Sequence, residues 1–272
     1  MASIAVAASA PFGADVLERL AARHEVVAVL TRPDAPRGRG RKLAPTPAKE
    51  AARRLGVPLL QPPRLAQVDV DVDVAVHLRN VDAVVVAAYG LLIPEALLAR
   101  NLWLNVHPSR LPRWRGAAPV ERAIMAGDSE TGVTIHRTVK ELDAGPIAAQ
   151  RAFAIDEDDD AGDVFGRAAE LAVELLEDVL PRPAFTPQPP EGVTYAAKIT
   201  GADRELELTQ PPVEVHNRVR ALSPHIGARA TVEGRRVVVW RTRVIVGRLE
   251  LLEVQPEGKR RMTYAEFLRG VR

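Results

Sequence analysis

Two short apolar runs, Ser3–Ala8 and Glu25–Leu30, flank a stretch, Ala14–Arg23, in which Val16, Leu17, Leu20 and Ala21 recur at helical spacing. Runs this short suit buried strands, and a helix-length crossover between two of them is what a parallel pair requires. The alternation continues along the chain. Pro47–Leu55 reads as a helix with Pro in its first turn, Asp82–Ala88 as a buried strand, and Pro94–Ala99 as the start of a helix. Leu102–Val106 reads as another strand, Pro119–Met125 as a short helix and Thr131–Thr138 as a β-rich run. In Ala161–Val179, Val164, Phe165, Ala168, Leu171, Leu175, Leu176 and Val179 keep helical spacing, and Asp158–Asp160 stand before it, where acids suit a helix amino end. The expected fold class is α/β, a Rossmann-like and mostly parallel sheet with helices on both faces.

A chain of 272 residues, 47% hydrophobic, has room for one large domain and one small one. Residues 1–180 form the expected large domain. Pro181, Pro183, Pro187, Pro189 and Pro190 make residues 181–203 an extended linker. Residues 204–272 form a second unit, with a helix near Val213–Ala221, three short strand-like runs between Ala228 and Leu252, and a final helix from Thr263. Residues 1–204 carry 24 Lys and Arg against 27 Asp and Glu, whereas residues 205–272 carry 13 against 8, so a net charge of +2 divides into −3 and +5. A small basic unit beside a near-neutral body suits a polyanion ligand, although such a difference also arises by chance. With no cysteine, disulfides, thiolate metal sites and a Cys nucleophile are excluded, and a reducing cytoplasm is the expected setting. No apolar run approaches the roughly 18 residues of a membrane span, and Ala2–Ala10 runs at once into Pro11 and charged residues, so neither a span nor a leader is expected.

Asn105 and His107 fall at the carboxyl end of the Leu102–Val106 strand, two residues apart and so on the same side. In open α/β sheets the crevice outside the carboxyl ends of strands receives ligands, and Pro108, Pro112, Gly116 and Pro119 mark the next segment of chain as a shaped loop. A His at a strand end is also a common structural residue, and Asp143, before Gly145, also suits a plain turn. The turn Ala8–Gly13 lacks the Gly-x-Gly-x-x-Gly pattern, so nothing supports a nicotinamide cofactor. Between Arg32 and Lys42, five cationic residues stand among glycines and prolines. Such a loop is either a solvated surface or a phosphate contact, Gly38 and Gly40 permitting close approach. Val68–Val74 alternates strictly and reads by period as an exposed strand.

Several motifs stand in a fixed order: Asn105-Val106-His107, Ser109-Arg110-Leu111-Pro112-Arg113-Trp114-Arg115-Gly116-Ala117-Ala118-Pro119, Gly132-Val133-Thr134-Ile135-His136 and Leu142-Asp143-Ala144-Gly145-Pro146. This series resembles the formyltransferases that use 10-formyltetrahydrofolate. The Arg115–Pro119 loop and the cationic loop look most like the branch that acts on methionyl-tRNA. The resemblance runs from about Glu25 to Thr200 and more loosely beyond, where it implies a small β-barrel-like domain, shorter than usual. It also implies a helix near Val68–Val74, against the period there. Ser9 stands in a turn where the family has Gly-Thr-Pro, and the turn Ser223–Ala228 lacks a typical aromatic.

The resemblance implies transfer of a formyl group from 10-formyltetrahydrofolate to the amino group of methionyl initiator tRNA, with Asn105, His107 and Asp143 catalytic and no metal. Ser109, Arg110, Leu111 and Pro112, the turn Tyr89, Gly90 and Leu91, and Leu142 and Gly145 would hold the folate donor, mainly through backbone. Arg37, Arg39, Arg41 and Lys42 would meet the tRNA acceptor stem, and the protein would act as a cytoplasmic monomer. Such a transfer passes through a tetrahedral oxyanion. Asn105 is suited to donate an N–H to it, His107 to stabilise it or protonate the leaving nitrogen, and Asp143 to orient His107 and favour its imidazolium form. Two rivals remain: a formyltransferase acting on a nucleotide-linked amino sugar, and a non-catalytic RNA-binding protein on the same scaffold.

Overall fold

The computed structural model describes residues 1–37, 40, 42–63, 65, 74 and 76–270. In chain order the first elements are β1 (Ser3–Ala8), α1 (Pro11–Ala21) and β2 (Glu25–Leu30). Helix α1 starts three residues earlier than its apolar spacing suggests because Pro11 occupies its first turn, where a missing N–H costs nothing. Next come β3 (Ala35–Arg37), β4 (Lys42–Ala44), α2 (Pro47–Leu55), β5 (Leu59–Leu60), β6 (Ala83–Ala87), α3 (Glu95–Leu98) and β7 (Trp103–His107). After these stand β8 (Arg115–Gly116), α4 (Pro119–Met125), β9 (Glu130–Arg137), β10 (Ile147–Ala154) and α5 (Ala161–Val179). The chain ends with β11 (Tyr195–Ala196), α6 (Pro212–Leu222), β12 (Ala228–Val232), β13 (Arg235–Ile245), β14 (Arg248–Pro256), β15 (Met262–Thr263) and α7 (Tyr264–Arg269).

Contacts divide the chain into two compact units, 1–113 with 132–151 and 166–193, and 114–131 with 152–165 and 194–272. Their limits cut across the expected divisions at 180 and 204, because α4 and the start of α5 pack on Ala221 of α6 in a common apolar cluster. In the first unit a seven-stranded sheet runs β10-β9-β7-β6-β1-β2-β5. The pairs from β7 to β5 are parallel and β7–β9 is antiparallel. Ile4 through Ala8 of β1 are all fully buried, so both faces of the sheet are covered. On one face Ala5, Ala7, Val84 and Val86 meet Leu78, Ile93, Leu97 and Trp103. Against the sheet, Gly13 of α1 lies so close that a Cβ there would sit 2.2 Å from the Ala87 carbonyl oxygen.

Three expectations change. The cationic loop is in part a hairpin, β3 pairing antiparallel with β4 and Arg37 standing opposite Lys42. Its base is tied down by Lys49, whose Nζ donates to both oxygens of Asp34 at 2.7 and 2.8 Å. Within the proline-rich 181–203 stretch, backbone pairs bind Thr186 to Ile147 and Tyr195–Ala196 to Arg115–Gly116, so prolines extend the chain but hydrogen bonds fasten it down. In the second unit β13 and β14 are 11 and 9 residues long, where short runs are expected, and form the sheet β12-β13-β14-β15, antiparallel throughout. The expectations for Val68–Val74, apart from Val74, and for Arg39 and Arg41 lie outside the described residues.

Candidate active site

Strand β7 carries Asn105 and His107 on one side, and the antiparallel register sets Asn105 opposite His136 and His107 opposite Thr134 on β9. Beyond β9 the chain turns back through Leu142–Pro146, with Asp143 in the left-handed region at φ 48°. Gly145 makes that return possible, since a Cβ there would lie 1.7 Å from the Arg137 carbonyl oxygen. From the far side, Gln188 Nε2 donates to the carbonyls of Asp143 and Gly145 at 2.7 and 2.8 Å, fixing the loop at both ends.

The three expected catalytic side chains meet. Asn105 Nδ2 donates to Asp143 Oδ1 at 3.1 Å, and His107 Nδ1 lies 3.7 Å from Asp143 Oδ2. The second distance is too long for a hydrogen bond. His107 is buried, 4% exposed. A fourth group joins them: His136 Nε2 stands 2.9 Å from Asn105 Nδ2 and 3.7 Å from Asp143 Oδ1.

Behind His107, Thr134 organises the Ser109–Pro112 loop. Its Oγ1 donates to the Ser109 carbonyl at 2.7 Å and accepts from Leu111 N at 3.1 Å and from Gln150 Nε2 at 2.8 Å. Gln150 Nε2 also reaches the Leu111 carbonyl at 2.9 Å. Ser109 is fully buried, its Oγ donating to the Arg113 carbonyl, while Arg110 is exposed and Pro112 half-buried. Leu111 is buried, and the Leu111–Pro112 peptide is cis. Of the expected folate contacts, Tyr89 points inward, packed with Trp103 and Leu97, and burial pushes its phenol far above the usual range. Leu91 leans on the same cluster. Gly90 adopts φ 78°, with the Arg32 guanidinium 3.6 Å from where a Cβ would stand. What this turn offers a ligand is therefore backbone. Leu142 is 64% exposed, an apolar side chain held out beside Asp143.

In the sequence Thr134 and His136 stand in a motif with no site role assigned, and Gln150 and Gln188 are not singled out. The first two carried a signal, since period two on one strand puts Thr134 and His136 on the face of β9 that pairs with His107 and Asn105. The two glutamines carried none, because their partners are 16 to 45 residues away. Arg37 and Lys42 end the two strands of the hairpin, and Lys42 is exposed. Among the described residues no group of three or more His, Cys, Asp or Glu is arranged to hold a metal, and no helix is long and apolar enough to cross a membrane.

Residues 2–180 match the formyl transferase family and residues 198–248 the formyl transferase C-terminal domain. The methionyl-tRNA formyltransferase of Paracoccus denitrificans is 42% identical over 284 residues, covering 96% of this chain and 94% of the relative. That of Acidothermus cellulolyticus is 46% identical, covering 83% and 71%. Among solved structures, the methionyl-tRNA formyltransferase of Clostridium thermocellum superposes with a TM-score of 0.64 at 14% identity, over 94% of this chain and 99% of that one. An N-formyltransferase of Helicobacter canadensis, in complex with folinic acid and dTDP-3-aminofucose, gives 0.67 at 16% identity over 97% and 99%, so this chain shares its fold. The chain belongs to the formyl transferase family, on the branch of the methionyl-tRNA formyltransferases.

Proposed function

We propose that the chain transfers the formyl group of 10-formyltetrahydrofolate to the amino group of methionyl initiator tRNA, as a cytoplasmic monomer. The observation that carries this reading is the meeting of Asn105, His107 and Asp143 at the carboxyl end of β7. The methionyl nitrogen attacks the formyl carbon, and the carbonyl electron pair moves onto oxygen. As the oxyanion collapses, the C–N10 bond breaks with its electron pair going to N10, and the new amide bond remains. The amine gives up one proton and N10 takes up one. His107 is placed to carry that proton, and the Asp143 carboxylate beside it stabilises the imidazolium form in between. Asn105 donates an N–H to the oxyanion as the charge develops. The Ser109–Pro112 segment, the Tyr89–Leu91 turn, Leu142 and Gly145 line the folate donor, and Arg37, Arg39, Arg41 and Lys42 meet the tRNA backbone.

The test is direct. Given 10-formyltetrahydrofolate and a choice of methionyl initiator tRNA or nucleotide-linked amino sugars, the protein should formylate the tRNA, and His107→Ala should lower kcat by roughly 10²- to 10⁴-fold in a folded protein. Formylation of the sugar alone would replace the acceptor, and near-normal turnover by His107→Ala would make that side chain structural.

A further inference from the structure

We infer that His136 is a positioning residue: a neutral imidazole with its hydrogen on Nδ1, whose bare Nε2 holds the Asn105 amide in the orientation its chemistry needs. Three contacts together fix this. Asp143 as a carboxylate only accepts, so the Asn105 atom 3.1 Å from its Oδ1 is the amide nitrogen. That same nitrogen lies 2.9 Å from His136 Nε2, which must therefore offer a lone pair. On the opposite side of the ring, His136 Nδ1 stands 3.0 Å from the Arg137 carbonyl oxygen, another obligate acceptor, so Nδ1 carries the hydrogen. One tautomer satisfies all three, and at 2% exposure His136 has little water with which to exchange partners.

Both hydrogens of the Asn105 amide are thus engaged, one by a charged acceptor and one by a neutral one. In water-poor surroundings the two acceptors together define the plane of the amide, which a single one would leave free to turn about its terminal torsion. When negative charge builds on a substrate oxygen, that oxygen outcompetes the neutral imidazole for an amide hydrogen, because hydrogen bonds to ionised acceptors are about twice as strong. Asp143 keeps the other hydrogen. His136 therefore presents a donor that is fully transferred only in the transition state, an arrangement that raises turnover without tightening the ground state.

The kinetic half rests on the formyl-transfer reading of Asn105, and the tautomer half does not. NMR of the free protein carrying ¹⁵N-labelled histidine should show His136 with a protonated Nδ1 and a bare Nε2. The opposite tautomer, or an average of the two, would overturn the inference. In steady-state assays at saturating substrate, His136→Leu should lower kcat about tenfold with both KM values unchanged, the loss expected for one hydrogen bond. His136→Gln, whose side-chain oxygen can accept from Asn105, should recover most of it. Equal turnover by the Leu and Gln variants, or a loss confined to KM, would contradict positioning. Should His136→Leu fail to fold, the tautomer and the Gln variant still decide. A wild-type protein that formylates no acceptor defeats the proposed function while leaving the tautomer result standing.

Discussion

Gly145 shows how much one missing methyl group decides. A Cβ at this position would lie 1.7 Å from the Arg137 carbonyl oxygen and 2.9 Å from its carbon, both backbone atoms of β9 that a side-chain rotation cannot move away. The Leu142–Pro146 loop must therefore retreat in Gly145→Ala and take Asp143 with it. Displacements of about 1 Å at a catalytic group cost on the order of 10²-fold in rate. The expected outcome is a comparable fall in kcat with an unchanged far-ultraviolet dichroism spectrum. Full activity in a folded Gly145→Ala protein would mean that the loop yields without moving the carboxylate. Asp143 itself is held at a positive φ by Gln188 on its carbonyl and Asn105 on its side chain, so its conformation is set by partners distant in sequence.

Between elements, the informative contact lies within the second unit and joins α4 to the Ala202–Arg204 turn. Arg122 donates from Nη1 and Nη2 to the two oxygens of Asp203 at 2.7 and 3.1 Å. Both side chains are 20% exposed, and Thr200 adds N–H and hydroxyl donors to Oδ2. Chiefly through the Arg122 hydrogen bonds, and against a burial that pushes the other way, the Asp203 carboxyl is held well below the usual carboxylate range. A carboxyl depressed in the folded state stabilises it above the unfolded value of about 3.9, and that contribution is lost as pH falls through the folded value. Asp203→Asn should thus lower the melting temperature by a few degrees at pH 7. The gap between variant and wild type should close as the pH is taken well below about 4. A gap that persists unchanged into acid would mean that the pair stabilises by packing and not by charge.

For the whole molecule the charge is nearly balanced at +2, so long-range attraction to a polyanion must come from local clusters. The hairpin offers one, with Arg37 and Lys42 at the ends of its strands and Arg39 and Arg41 between them in sequence. Contacts to phosphate release condensed counterions. The logarithm of the affinity for methionyl-tRNA should then fall with the logarithm of salt concentration, by roughly 0.7 to 0.9 per contact, while folate affinity changes little. Replacing Arg39 by Glu should flatten that slope and raise the KM for tRNA. A salt slope identical to wild type would assign the cluster to plain solvation.

The alternation of apolar runs with helical periods was enough to specify a covered, mostly parallel sheet, because burial on both faces and a crossover of helix length leave few other solutions. Asn105 and His107 were legible for the same reason: two residues apart on a strand, they must share a side, and the strand's carboxyl end must open on the crevice. Zero cysteines and the spacing of Thr134 and His136 were likewise in the sequence. Tertiary structure decided the rest. The antiparallel register of β9 put His136 against Asn105, Gln150 and Gln188 clamped the two loops, and Tyr89 turned into the core. Each depends on contacts outside the repeat of its own strand or helix, and periodicity, which reports only a residue's near neighbours, contains no term for them.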